Sequence, residues 1–142
     1  MKKIILSVLA TAALAIAPAM ADDVPITVEK LPAKAQEFLK ANFAKNSVVS
    51  AMHDRDFTDN DYTVYLDNGV KVEFDGSGKW DSIKGAVPSA VIPAKIKNYL
   101  SQHYASFNVV KIDRKRYGYE VELNNDLELK FDVNGNFLGL DD

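Results

Sequence analysis

Residues 62–83 read YTVYLDNGVKVEFDGSGKWDSI, and residues 119–140 read YEVELNNDLELKFDVNGNFLGL. At an offset of 57 the two stretches match Tyr62 with Tyr119, Val64 with Val121, Leu66 with Leu123, Val72 with Leu129 and Phe74 with Phe131. Asp75 then meets Asp132, Gly78 meets Gly135 and Trp80 meets Phe137. Self-similarity at a fixed offset marks a structural unit made twice. Within each copy apolar and polar residues alternate, the signature of half-buried strands. Tyr62, Val64, Leu66, Val70, Val72 and Phe74 face inward on this reading, and Thr63, Tyr65, Lys71 and Glu73 face outward.

The parity also selects the turn. A two-residue Asn68-Gly69 loop would put Asp67 and Val70 on one face, against the pattern. A three-residue loop Asp67-Asn68-Gly69 with a left-handed Gly69 pairs Leu66 with Val70 and keeps it. The same reasoning sets Phe74 opposite Trp80 and Phe131 opposite Phe137. Asp126 stands where the first copy has Gly69, and aspartate tolerates left-handed backbone better than most residues.

Upstream of each pair of strands, Leu31-Pro32 and Ile92-Pro93 open an amphipathic helix, since proline is accommodated in a first helical turn. Leu31, Ala35, Phe38, Leu39 and Phe43 recur at helical spacing, as do Ile92, Ile96, Tyr99, Leu100 and Tyr104 at an offset of 61. Helices are expected near 32–45 and 93–106, followed by strands near 47–54 and 108–115. The offset drops from 61 to 57 across Asp54–Asp61, so four additional residues sit in a loop of the first copy, where insertion is tolerated. Residues 22–29 read as an extended lead-in and 84–89 (KGAVPS) as a short linker. The expected fold is α+β: two tandem helix-plus-four-strand antiparallel meanders forming one continuous eight-strand sheet, with both helices on one face. The first unit with its lead-in spans 22–83 and the second 90–142, in one compact body.

The chain has 142 residues, no cysteine and a formal net charge of −3. Lys2-Lys3, an apolar run from Ile4 to Ala17 and Ala19-Met20-Ala21 have the form of a signal peptide, with cleavage expected near Ala21. The apolar run is too short to span a bilayer comfortably. The mature chain is therefore expected in the periplasm or outside the cell, without a membrane anchor. It would keep 15 basic against 20 acidic residues, a net −5 that disfavours nucleic acid and anionic membrane as partners. Lack of cysteine excludes disulfides and thiolate chemistry.

One face of an antiparallel meander is commonly left wet, and that face is the candidate protein-binding surface. By parity it carries Thr63, Tyr65, Lys71, Glu73, Lys79, Glu120, Glu122, Glu128 and Lys130, and, if the alternation runs into the last strands, Ile83, Leu138 and Leu140. Tyrosine and aliphatic groups among charges suit an interface. The second candidate is the acidic segment with Asp54, Asp56, Asp59 and Asp61, whose oxygens could hold calcium, although no calcium-loop spacing is present. Asp75 and Asp132 read as turn residues. His53 and His103 lie on a strand end and a helix flank. No nucleophile elbow, zinc helix or phosphate loop occurs, so no catalytic residue or cofactor is assigned.

The duplicated ending F-D-x-x-G-x-[WF] (Phe74 to Trp80, Phe131 to Phe137) and the helix starts at Leu31 to Leu39 and Ile92 to Leu100 resemble the PepSY-like, beta-lactamase-inhibitor-like family of exported bacterial proteins. The resemblance covers most of 28–140. It implies tandem helix-plus-meander units with a continuous sheet, an envelope or secreted location, and a sheet face that in the inhibitor grips a protein. The inhibitor's disulfides have no counterpart in a chain without cysteine. The expected function is a non-enzymatic exported binding module that inhibits or regulates an envelope protein or peptidase, its partner an envelope or extracellular protein held on the open sheet face. The alternative is a periplasmic metal-ion or small-ligand binder using residues 54–61.

Overall fold

The computed structural model describes residues 23–55 and 60–141. The expected leader, Asp56 and Asp59 lie outside the described residues. In chain order the elements are β1 (Asp23–Ile26), α1 (Ala33–Asn42), β2 (Val48–Arg55), β3 (Asn60–Leu66), β4 (Lys71–Phe74) and β5 (Trp80–Lys84). They continue with α2 (Ala94–His103), β6 (Val109–Lys115), β7 (Gly118–Leu123), β8 (Glu128–Asp132) and β9 (Phe137–Asp141). All nine strands form one antiparallel sheet whose spatial order is the chain order. The lead-in is the ninth strand: β1 pairs with β2 through Val24↔His53 and Ile26↔Ala51. Alternation cannot be recognised over four residues containing a proline, which is why eight strands were expected.

Each helix begins one residue later than the sequence suggested, because Pro32 and Pro93 are the extended cap residues themselves. Each ends at an aromatic, Phe43 or Tyr104, whose N–H still donates to Leu39 or Leu100. The helix stripes lie against one face of the sheet. Ala35, Leu39, Ile96 and Leu100 join Val64, Val72, Phe74, Ile112, Val121, Leu129 and Phe131 in a single core. Edge-on ring contacts fix each helix, Phe38 to Phe74 at 5.8 Å and Tyr99 to Phe131 at 5.6 Å. Phe74 and Phe131 are fully buried; burying a side chain of that size is worth roughly 1.5–3 kcal/mol. No polar or charged residue is buried among those described. The core therefore has no hydrogen-bond partners to find, and apolar fit alone sets it.

The hairpins follow the parity argument. In the first, the Leu66 N–H donates to the Val70 carbonyl and the Leu66 carbonyl accepts from Gly69, which has φ 87°. Asp126 takes φ 70° in the β7–β8 turn. In the β4–β5 and β8–β9 hairpins an aspartate Oδ1 accepts two loop N–H groups, Asp75 from Ser77 and Lys79, and Asp132 from Asn134 and Asn136. These aspartates are turn residues, as expected.

The alternation does not carry straight into β5 and β9. Phe74 pairs with Trp80 but Glu73 pairs with Ser82, leaving Asp81 as an extra bulged residue. Phe131 pairs with Phe137 and Lys130 with Gly139, leaving Leu138 extra. One inserted residue reverses the facing of everything beyond it. Ile83 consequently pairs with Val72 on one side and Ile112 on the other and is fully buried in the core, not on the open face. Leu140, opposite Leu129, belongs to the helix side as well; it is 51% exposed because β9 is the sheet edge.

Candidate functional site on the open sheet face

The face away from the helices is polar, and its side chains are set by register. Two cross-strand rows dominate it. The first runs Tyr65, Lys71, Lys84, Lys111, Glu122, Glu128, Asp141 across β3 to β9, each residue directly opposite the next. The second runs Thr63, Glu73, Ser82, Asp113, Glu120, Lys130. Every predicted face residue except Ile83, Leu138, Leu140 and Lys79 lies in these rows. Lys79 belongs to the β4–β5 turn, where its backbone N–H donates to Asp75. Leu138 projects from the β8–β9 bulge, 56% exposed. Lys84, Lys111 and Asp141 were not singled out from sequence. The signal that would have found them is the same parity, corrected for the bulge and carried across the linker.

The rows contain three local groupings. At the centre, Lys71, Lys84 and Lys111 stand side by side on β4, β5 and β6. Lys71 bridges to Glu73 at 3.1 Å and Lys111 to Asp113 at 3.5 Å, both along their own strands. The hydrogen bond to Glu73 holds the Lys71 ammonium above its ordinary range. A polar trough of about 440 Å3 runs here, reaching Arg114 and Lys115. Lys84 is exposed and lies between the two bridged lysines.

Toward the C-terminal edge, one carboxylate oxygen each from Glu120, Glu128 and Asp141 lies within 4.8 Å of the others. Tyr117 donates a hydrogen bond to Glu120 Oε2 at 2.8 Å, and Lys130 reaches Asp141 at 3.7 Å. Burial, then the neighbouring Glu120, Asp141 and Glu122 charges, push the Glu128 carboxyl up. Burial and the Glu120 hydrogen bond likewise push the Tyr117 hydroxyl up. Carboxylates in this arrangement repel one another and offer hard oxygen ligands to a divalent cation.

At the opposite end, Asp23, Asp54 and Asp61 are register partners on β1, β2 and β3. A hydrogen bond with Asp23, then burial and the Asp23 and Asp61 charges, push Asp54 up to about 6. Of the four aspartates in the acidic segment, Asp54 and Asp61 thus share the open face. His53 is turned to the other side, stacked on Tyr62 at 4.3 Å and bonded to Asn60 at 2.6 Å. The His103 ring lies tilted against Tyr99, with centroids 4.3 Å apart. Trp80 packs between Phe38 and the Arg114 guanidinium, whose Nε donates to the Trp80 carbonyl at 2.9 Å. On the helix side a groove of about 670 Å3 lies between α2 and the linker, lined by Ile92, Leu100, Tyr104, Phe107 and Val110.

These features define a class: a helix-backed antiparallel sheet presenting one uncovered, charge-patterned face. The family described as "putative beta-lactamase-inhibitor-like, PepSY-like" matches residues 60–139, and the chain belongs to it. A Bacteroides thetaiotaomicron structure described as "a putative calcium-regulated periplasmic protein" is 40% identical, with a TM-score of 0.83, covering 87% of this chain and 99% of the other. Two Bacteroides vulgatus structures, both described as periplasmic proteins, are 41% and 38% identical, each with a TM-score of 0.80. They cover 85% and 84% of this chain and 98% and 99% of their own. None of the curated proteins matches the chain. No described helix is long and apolar enough to cross a membrane.

Proposed function

We propose that this chain is a non-enzymatic periplasmic module, built from two copies of one helix-plus-meander unit, that docks another protein on its open sheet face. The observation that carries the reading is the two like-charged runs of the first row, Lys71-Lys84-Lys111 and Glu122-Glu128-Asp141. Like charges directly opposite in a ladder destabilise a sheet, so this face is poorly arranged for solvent alone and well arranged for a charge-complementary surface. Tyr65, 41% exposed beside Lys71, supplies an aromatic contact at the margin. The periplasmic relatives and the leader-like N-terminus support the location.

A photo-crosslinking side chain placed at Tyr65 or Glu122, and at Glu37 or Asn98 on the exposed helix side, tests the surface in living cells. Adducts from the first pair only are expected. Adducts from the helix side alone, or equally from both, would overturn the choice of face.

The convergence of Glu120, Glu128 and Asp141 favours a second reading, in which calcium binds at the C-terminal edge of the same face. The relative described as calcium-regulated supports it. Calorimetry should show calcium binding to the wild type and loss of at least about tenfold in affinity for Glu128→Gln. Absence of heat and of any thermal shift with calcium removes this reading.

A further inference from the structure

We propose that the open face docks a second copy of this chain, through a two-fold axis running along the strands between β6 and β7. This rests on the reading of that face as a docking surface and names its occupant. The argument is the antisymmetry of the first row. Reading outward from the β6–β7 boundary, one side presents Lys111, Lys84 and Lys71, and the other presents Glu122, Glu128 and Asp141. Strands are spaced about 4.8 Å apart, so the sites on the two sides lie at equal distances from the boundary.

A two-fold axis there lays one sheet over the other and performs three matches at once: Lys111 on Glu122, Lys84 on Glu128, Lys71 on Asp141. Each match occurs twice, as an isologous contact requires. Sheets packed face to face sit about 10 Å apart, a gap that a lysine and a glutamate reaching toward each other can bridge. The second row permits the match at two of its three sites. Ser82 comes to face Lys130, and Glu73 faces Gly139, which has no side chain to clash. The like-charged match, Asp113 with Glu120, is relieved within each copy, since Asp113 is bridged to Lys111 at 3.5 Å and Glu120 accepts from Tyr117 at 2.8 Å. An unrelated partner would need its own matching sequence of three acids and three bases; a second copy carries it already.

The interface is chiefly ionic and flanked by solvent, so association is salt-sensitive: raising ionic strength to about 1 M shortens the screening length to about 3 Å. Sedimentation velocity on the mature chain tests this directly. The wild type is expected to dimerise at low salt and to weaken by at least about tenfold at high salt. Lys84→Glu and Glu128→Lys are each expected to be monomeric, and Lys84→Glu to keep the wild-type thermal unfolding, because Lys84 is exposed and its replacement relieves the lysine row. An equimolar mixture of the two variants should recover a dimer with one of each, seen by native mass spectrometry, since every reversed charge then meets its opposite. A wild type that stays monomeric at low salt, variants that dimerise like it, or a mixture that stays monomeric each overturns the second copy. If the wild type is monomeric but crosslinks to a different protein through Tyr65, the second copy falls while the docking face stands. If neither face residue crosslinks to anything, both fall.

Discussion

Replacing Ile83 by alanine separates the two possible facings of β5 by magnitude. Ile83 has no exposed surface and is flanked in register by Val72 and Ile112. Truncation removes three carbons, about 2.4 kcal/mol of transfer free energy at about 0.8 kcal/mol each. The strands on both sides are fixed by their ladders, so the site cannot collapse and a cavity cost is added, giving about 3–4 kcal/mol. For a domain of this size that lowers Tm by about 12–16 °C. Leu140, its equivalent on the edge strand, is half exposed and open on one side, so Leu140→Ala should cost about 1 kcal/mol and about 4 °C. Calorimetric or circular-dichroism melting of both variants is sufficient. Equal small shifts would mean that Ile83 lies on the open face, and that the bulge at Asp81 is not a feature of the folded protein.

Three other outcomes are expected. Gly69 and Gly118 both have positive φ, but a Cβ on Gly69 meets nothing, whereas one on Gly118 would lie 2.1 Å from the Phe131 carbonyl oxygen. Gly69→Ala should cost about 1 kcal/mol and Gly118→Ala at least about 3 kcal/mol, read from urea midpoints; similar midpoints would contradict the close β7–β8 approach. Asp54 is pushed up to about 6 in the fold, so its contribution to stability is lost as pH rises from about 4 to 6. Asp54→Asn should therefore raise Tm at pH above 6 and do little near pH 4, by no more than about 1 kcal/mol after allowing for solvent screening. Asp132 is held below its ordinary range by the Asn136 backbone and side chain, and its stabilisation is present at neutral pH and lost as pH falls through the lowered value. The Tm gap between wild type and Asp132→Ala should narrow on acidification, and a gap independent of pH would contradict the carboxylate's role in the turn.

Much of the fold was legible because the strands alternate cleanly and the turns constrain register. Leu66 and Val70, Phe74 and Trp80, and Phe131 and Phe137 sit opposite one another as the loop parity requires. Two things were not legible. β1 carries Pro25 and only two inward positions, too short a run for periodicity to speak. The bulges at Asp81 and Leu138 leave no mark in residue type, since an aspartate and a leucine serve in matching positions, and the cost was a wrong facing for Ile83 and Leu140. The composition of the open face was legible to the same extent. Lys71, Glu122 and Glu128 were placed by parity, while Lys84 and Asp141 lie beyond the bulges, so the three-and-three charge row emerges only once register is known.

Spatial order equal to chain order has a consequence for how the molecule is made. No strand needs a neighbour that has yet to be synthesised on the far side of another element; each hairpin can close on the one just finished, and the longest wait is the passage through α2 between β5 and β6. Local closure of this kind keeps loop entropy small and speeds collapse. A chain emerging N-terminus first from a narrow channel can thus be consolidated piece by piece. By the same logic, trimming β9 should peel one ladder and leave the remainder paired.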